Sequence, residues 1–361
     1  MKVLAAMSGG VDSAVAAARA AEAGHEVVGV HMALSRNRDQ RRTGSRGCCT
    51  VEDASDARRA ADRIGIPYYV WDLSDDFHDL VVEDFLSEYA AGRTPNPCVR
   101  CNERIKFASL LERATLLGFD AVCTGHYASI RADGPDGAAS LHRARNLAKD
   151  QSYVLAVMGP GAVGRSLFPL GEYETKDAVR AEARSRGLGV STKPDSYDIC
   201  FVADGDTRGF LERHLGEAPG EILDESGAVL GTHRGTHGFT IGQRKGLGLQ
   251  QPAADGAPRY VVDIDPASRQ VVVGAGELLS TRELIAGDLV SFEPLEAGRE
   301  VRAQIRAHGE ATPARLLEVL PETAAVRVGL ETPIRGVAPG QTLVLYDGDR
   351  VLAAATLERR A

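Results

Sequence analysis

The chain has 361 residues, 43% of them hydrophobic and 25% charged, with a formal net charge of −8. That length predicts two or three domains of an ordinary soluble globular protein, and the absence of any run of eighteen apolar residues excludes a membrane-spanning helix. The net negative charge alone argues against a nucleic-acid partner, but such binding follows local patches rather than the total.

The first predicted element is a strand, Val3 to Met7; its opening MKVLAAM is too short for a secretory leader. It turns through Ser8-Gly9-Gly10-Val11-Asp12-Ser13 into an alanine-rich helix, Ala14 to Ala23. A strand that passes through two glycines into a helix makes a cup of backbone N–H groups at the positive helix end, the geometry that holds a phosphate or pyrophosphate. No G-x-x-x-x-G-K-[ST] occurs, so this is not the common P-loop. Gly9 and Gly10 let the main chain approach an anion, and the Ser8 and Ser13 hydroxyls can donate to its oxygens. Asp12, an acceptor only when ionised, is expected to orient the loop or to help hold a divalent ion.

Further strands at Val27 to Met32, Tyr68 to Trp71 and Ala121 to Thr124 alternate with helices such as Val51 to Ile64 and Ile105 to Leu117. This alternation predicts an α/β fold with a doubly wound parallel sheet over residues 1–210. Ligands in such sheets bind at the carboxyl ends of the strands, so the Ser8 loop, Met32 and Gly125 should converge on one crevice, with Met32 beside an adenine or simply filling core. After residue 210 Gly, Pro, Thr and Val become frequent. Segments Glu221 to Leu230, Arg259 to Asp265 and Gln270 to Val273 read as antiparallel strands of a small β-rich domain, 211–280. From Glu283 onward roughly six strands read as a C-terminal β-barrel, 281–361. No sustained apolar heptad appears, so a monomer is expected.

Several residues stand out against this frame. Arg36, Arg38, Arg41, Arg42 and Arg46 fall in one polar stretch, either a solvated loop or an electrostatic arm for phosphates. Only six of the 42 basic residues are lysines, and Lys106, Lys149, Lys176, Lys193 and Lys245 all lie in segments of interest. Cys98 and Cys101 form a C-x2-C pair after prolines, which serves as a redox dithiol, half a zinc site or part of an iron–sulfur site. No second pair has zinc spacing: the others are the adjacent Cys48 and Cys49, Cys123 in a strand, and Cys200. Six cysteines without a leader point to reduced thiols in a cytoplasm.

The SGGxDS loop resembles that of the ATP pyrophosphatase superfamily. The set SGGVDSA, RTPNPCVRCNERIKF, TGHYA, KDQSY, DSYDICF, GFTIGQRKGLG and APGQTLVLYDG, in this order from residue 3 to about 358, resembles the bacterial tRNA-specific 2-thiouridylases. The resemblance implies that ATP with Mg2+ adenylates O2 of the wobble uridine of a tRNA, and that Ala6, Met7, Ser8, Gly9, Gly10, Val11, Asp12, Ser13, Met32 and Gly125 hold the nucleotide. It implies a persulfide on Cys200, delivered by a donor protein such as a cysteine desulfurase or a relay. Cys101 is then the nucleophile that resolves the sulfur through a transient Cys101–Cys200 disulfide. By the same resemblance Asn96, Pro97, Cys98, His126, Lys149, Asp150, Gln151 and Gln341 meet tRNA or the target base, with Gln151 or Tyr153 helping to position it.

Two departures stand out. The family often has an aspartate where this chain has Cys98, and an Arg-Tyr pair where Arg306 is followed by Ala307 and His308. The first makes Cys98, Cys101 and Cys200 an alternative ligand set for a [4Fe-4S] cluster with one open iron. A small-molecule adenylating ligase and a non-catalytic RNA-binding or redox module remain as readings that share only part of the pattern; the ligase gives the cysteines no task.

Overall fold

The computed structural model describes residues 1–36, 50–194, 199–202, 204–249 and 256–358; Arg38, Arg41, Arg42, Arg46, Cys48, Cys49 and Asp195 to Asp198 lie outside the described residues. Strands β1 (Lys2–Ala6), β2 (Glu26–Ala33), β3 (Tyr68–Asp72) and β4 (Ala121–Cys123) are joined by helical crossovers. A hairpin of β5 (Ala128–Arg131) and β6 (Ser140–Arg143) then leaves the sheet before β7 (Ser166–Leu167) completes it. The sheet is wholly parallel in the order β3-β2-β1-β4-β7. Alternate residues of β1 serve two cores: Leu4 and Ala6 pack with Val99, Phe107 and Leu110 on one face, Val3 and Ala5 with Ala14, Val15, Ala57 and Ala61 on the other. The chain departs from β1 first toward β2 and later toward β4, so the carboxyl ends of β1 and β4 open on the crevice of a doubly wound sheet.

The helices follow local signals. Helix α1 (Val11–Glu22) begins at Gly10, and α2 (Val51–Ile64) has a reciprocal capping box between Thr50 and Asp53 and ends on Gly65 in the left-handed region, φ 82°; such a cap stabilises by about 1 kcal/mol. The stretch expected as Ile105 to Leu117 starts earlier. Asn96 caps it, accepting from the Cys98 amide at 3.1 Å, and Pro97 opens a helical run over residues 97–116 whose middle, Cys101–Ser109, is π-helical. Pro97 marks the start of this run, because a proline needs no N–H there.

The second sheet has the order β10-β11-β8-β9, built from β8 (Gly220–Leu223), β9 (Val229–His233), β10 (Tyr260–Asp265) and β11 (Gln270–Gly274) around Ile222, Val261, Ile264 and Val271. The segment Glu221 to Leu230 holds the turn of the antiparallel β8–β9 hairpin, where Asp224 accepts from the amides of Ser226 and Ala228 and Gly227 takes φ 87°. Six strands then close a barrel: β12 (Ser280–Ser291), β13 (Glu300–Gln304), β14 (Thr312–Leu320), β15 (Ala325–Arg335), β16 (Thr342–Asp347) and β17 (Arg350–Leu357), with β12 pairing both β15 and β17. The β5–β6 hairpin joins this barrel sheet through His142 opposite Arg350, and Val344, Tyr346, Val351 and Ala354 complete the core that β1 shares with residues 97–116. Among the described residues no helix is long and apolar enough to cross a membrane.

Candidate active site

At the end of β1, Ala6 and Met7 are buried, Ser8 is exposed and Gly9 takes φ 80°. A Cβ on Gly9 would lie 2.3 Å from the carbonyl oxygen of Asp53, so only glycine lets the loop pass over the start of α2. Gly10 caps α1 without a side-chain bond, and the first amides of the helix, at Val11, Asp12 and Ser13, lack partners within it. The loop thus presents N–H groups and the positive end of a twelve-residue helix to the crevice.

Side chains fix this cradle from below. Ser13 Oγ accepts from the Ser8 amide at 3.2 Å and donates to the Gly10 carbonyl at 3.1 Å, so its proton serves the loop. The Ser8 and Ser13 hydroxyl oxygens lie 3.3 Å apart, so the exposed Ser8 side chain shares this network. Asp12 accepts from the Tyr127 hydroxyl at 2.7 Å and is ion-paired with Lys176, tying α1 to the segment after β4. Gly125 is the matching contact from β4: a Cβ there would sit 2.6 Å from the Ser13 amide nitrogen. Lys193 bonds Asp53 at 2.6 Å and Asp56 at 2.7 Å, and with the Thr50 hydroxyl and amide it outweighs burial to hold the Asp53 carboxyl below its ordinary range. His31 donates from Nδ1 to the Met7 carbonyl at 3.0 Å; burial lowers its pKa, so it stays neutral. Two of the scarce lysines thus act as ammonium clamps on the loop and its support.

The cysteines belong to a neighbouring lobe. Cys101 is buried and Cys200 half-buried on one apolar cluster with Leu34, Phe77, Phe85, Ile105 and Phe210; Met32, at the end of β2, packs against both this cluster and the sheet core. Phe201 anchors the Cys200 segment, its ring 5.2 Å from Phe85, 5.4 Å from Phe210 and 5.9 Å from Phe77, each an edge or tilted contact worth about 1 kcal/mol. Cys98 is exposed one turn before Cys101. Among the described residues no three His, Cys, Asp or Glu side chains lie close enough to hold a metal ion. The alternative reading of Cys98, Cys101 and Cys200 as ligands of a [4Fe-4S] cluster thus finds no support in this arrangement.

The remaining expected residues divide by what they touch. His126 is 8% exposed, stacked between Phe107 and Phe168. Lys106 Nζ faces its Nε2 at 3.4 Å and Thr124 Oγ1 its Nδ1 at 2.7 Å. Burial, then the Lys106 charge, push its pKa well down, so it is neutral, with Nε2 accepting from the ammonium and Nδ1–H donating to Thr124. Asp150 turns inward to the amides of Ala144 and Ser152, the Ser152 hydroxyl and Arg143, and burial raises its pKa. Gln151 accepts from the Tyr127 amide at 2.9 Å, Lys149 beside them is half-buried, and Tyr153 is buried with its hydroxyl donating to the Thr342 carbonyl at 2.6 Å. Asn96 caps and Pro97 is buried. Gln341 Nε2 donates to the Thr94 carbonyl at 2.5 Å, so it reaches from the barrel to the segment before Cys98. Arg36 is paired with Asp75 and Asp79, and Arg306 donates to the carbonyls of Arg335 and Gly336. A cavity of about 1140 Å3 lies apart from the loop, between Arg93, Arg100, Ile264, Leu279, Glu283 and Leu357. Sequence reasoning missed Tyr127 and Thr124 as partners; their place in the TGHYA segment was the available signal.

Three family models match in succession: a tRNA methyl transferase HUP domain over residues 1–204, a tRNA methyl transferase PRC-barrel domain over 208–275, and an aminomethyltransferase β-barrel domain over 281–357. Relatives include the tRNA-specific 2-thiouridylase MnmA of Beutenbergia cavernae, 65% identical over 99% of this chain and 94% of its own, and that of Kineococcus radiotolerans, 64% identical over 99% and 98%. Among solved structures, the NMN synthetase of Francisella tularensis aligns over 54% of this chain and 66% of its own at 19% identity, with a TM-score of 0.34. With a nucleotide-type loop, a cysteine lobe beside it and relatives this similar over nearly its whole length, the chain belongs to the tRNA-specific 2-thiouridylase family.

Proposed function

We propose that the protein thiolates C2 of the wobble uridine of a tRNA at the expense of ATP. The observation that carries this reading is that Cys101 and Cys200, far apart in sequence, pack on one apolar cluster bordering the crevice of the β1 loop. In this reading Ala6 to Ser13, Met32 and Gly125 hold ATP, with the loop amides on its phosphates, and O2 of the uridine attacks the α-phosphate, releasing pyrophosphate. The adenylated oxygen becomes a good leaving group. A persulfide on Cys200 attacks C2 with its terminal sulfur, Cys101 attacks Cys200 Sγ, and the S–S bond breaks toward the sulfur left on C2 as AMP departs. Two thiols are thereby oxidised to a disulfide, which a cellular dithiol reopens.

Mg2+ would shield the phosphate charge when ATP is bound; Asp12 is the carboxylate of the loop that could face it, although here Tyr127 and Lys176 already engage it. The tRNA must present its wobble base unstacked, at a cost of roughly a few kcal/mol that is smaller in a single-stranded loop. Asn96, Pro97, Cys98 and Lys149 border the entry in this reading. His126, Asp150, Gln151 and Gln341, engaged by protein groups, act by holding the walls of the site. We take the three units 1–210, 211–280 and 281–361 to share the anticodon arm, the enzyme to work as a cytoplasmic monomer, and its sulfur to come from a protein persulfide. A methyl transfer, the wording attached to the family models, would leave both the phosphate loop and the cysteine pair without a task. Substitution Cys200→Ser should abolish thiolation while ATP binding and pyrophosphate release persist; thiolation at the wild-type rate would overturn the reading.

A further inference from the structure

Cys98 and Cys101 lie in a single turn at the start of the helical run 97–116. The Cys101 amide donates to the Cys98 carbonyl, and Arg100 and Cys101 have helical torsions, φ −61°, ψ −39° and φ −63°, ψ −42°. A helix of 1.5 Å rise and 2.3 Å radius separates the Cα atoms of such a pair by about 5 Å, inside the roughly 4.4–6.8 Å that a disulfide spans. Access differs sharply along the series. Cys101 is 8% exposed, Cys200 is half-buried on the same cluster, and Cys98 faces solvent. A reductant protein must bring its own thiolate in line with the sulfur it attacks, so a disulfide between the two inner cysteines is hard to reach, whereas one that includes Cys98 is open.

We propose that Cys98 is a recycling thiol, moving the disulfide left by the reaction to the surface. The proposal rests on the persulfide reading above. The Cys98 thiol loses its proton to solvent, and the thiolate attacks Cys101 Sγ in the Cys101–Cys200 disulfide. The Cys98–Cys101 bond forms as the Cys101–Cys200 bond breaks, and Cys200 leaves as a thiolate ready to take up the next sulfur. No net electrons move in this exchange. An external protein dithiol then attacks Cys98 Sγ, passes through a mixed disulfide, and supplies the two electrons that restore both thiols. An exposed first cysteine followed by a buried second one in the first turn of a helix is the layout on which dithiol–disulfide exchange proteins depend. In this chain the buried second cysteine of that layout is the resolving cysteine itself.

The full-length protein is incubated with tRNA, ATP, Mg2+ and a small-molecule persulfide without reductant, quenched in acid, alkylated, and its disulfides mapped by mass spectrometry. Wild type should carry a Cys98–Cys101 bond with Cys200 alkylated, and Cys98→Ser should carry Cys101–Cys200. A thioredoxin-type dithiol should reopen the disulfide of Cys98→Ser at least tenfold more slowly than that of wild type. Cys98→Ala, with no hydroxyl, should behave as Cys98→Ser. A wild-type Cys101–Cys200 bond with Cys98 alkylated, or equal reopening rates, overturns the recycling role. Thiolated tRNA formed by Cys98→Ser with no disulfide at Cys101 or Cys200 overturns the persulfide reading instead, and the relay with it.

Discussion

Gly9 decides at one Cα whether the loop can exist. Any side chain there meets the Asp53 carbonyl and must adopt φ 80°, which costs an L-residue about 1–2 kcal/mol before the clash is counted. Gly9→Ala should lower ATP-dependent pyrophosphate release at least tenfold in a phosphate-release assay; an unchanged rate would mean that the loop does not hold the nucleotide. Phe201 acts in the same way on the thiol side. Its three aromatic neighbours set where Cys200 stands, so Phe201→Ala should destabilise by roughly 2–3 kcal/mol, less than a fully buried Phe would. Single-turnover thiolation should fall while the Kd for ATP holds; parallel loss of both would show a general collapse. At this scale the sequence was informative about residue types and silent about partners. Serines and an aspartate in a glycine loop pointed to an anion site, but Ser13 donates back to Gly10 three residues away, and Asp12 meets Tyr127 and Lys176 from chain segments more than a hundred residues away.

Elements came through where a local signal dictates them. Apolar strands buried on both faces, the Thr50 cap of α2 and the Asn96-Pro97 helix start are written in the residues themselves. The π-helical middle of residues 97–116 and the β5–β6 hairpin do not, because an extra residue per turn and a strand that pairs across the molecule are settled by packing rather than by periodicity. The histidines embedded in these elements carry a pH signature. His31, His126, His233 and His237 all have pKa values lowered chiefly by burial. In the unfolded chain they titrate near about 6.5. Between the lowered folded values and that point the unfolded state binds more protons, so stability rises with pH there, is complete above about pH 6.5, and is lost as the pH falls below it. The urea midpoint should therefore drop from pH 7.5 to 5.5, and His126→Gln should flatten the drop; a midpoint independent of pH in this window would contradict burial of the neutral rings.

Across the whole molecule, the barrel and the catalytic unit are bound by short polar contacts as well as by core. Thr94 donates its amide to the Pro339 carbonyl at 2.7 Å and accepts from Gln341, so the turn before β16 clasps the segment that leads to Cys98 and Cys101. Gln341→Ala removes a bond worth about 1 kcal/mol. If Gln341 holds that segment, kcat for thiolation should fall severalfold with the KM for tRNA unchanged; a rise in KM alone would assign Gln341 to the RNA. The order of the three units was legible in changing composition, whereas their interleaving was not. Val344, Tyr346, Val351 and Ala354, from the last two strands, finish the core begun by Leu4 and Ala6. During synthesis this has a temporal meaning. The sheet that carries the loop leaves the ribosome with one face uncovered, and at roughly 5–20 residues per second it waits on the order of ten to thirty seconds for the strands that cover it. The newborn enzyme therefore passes through a stage with its parallel sheet assembled and its apolar flank open, when holdase chaperones have most to offer.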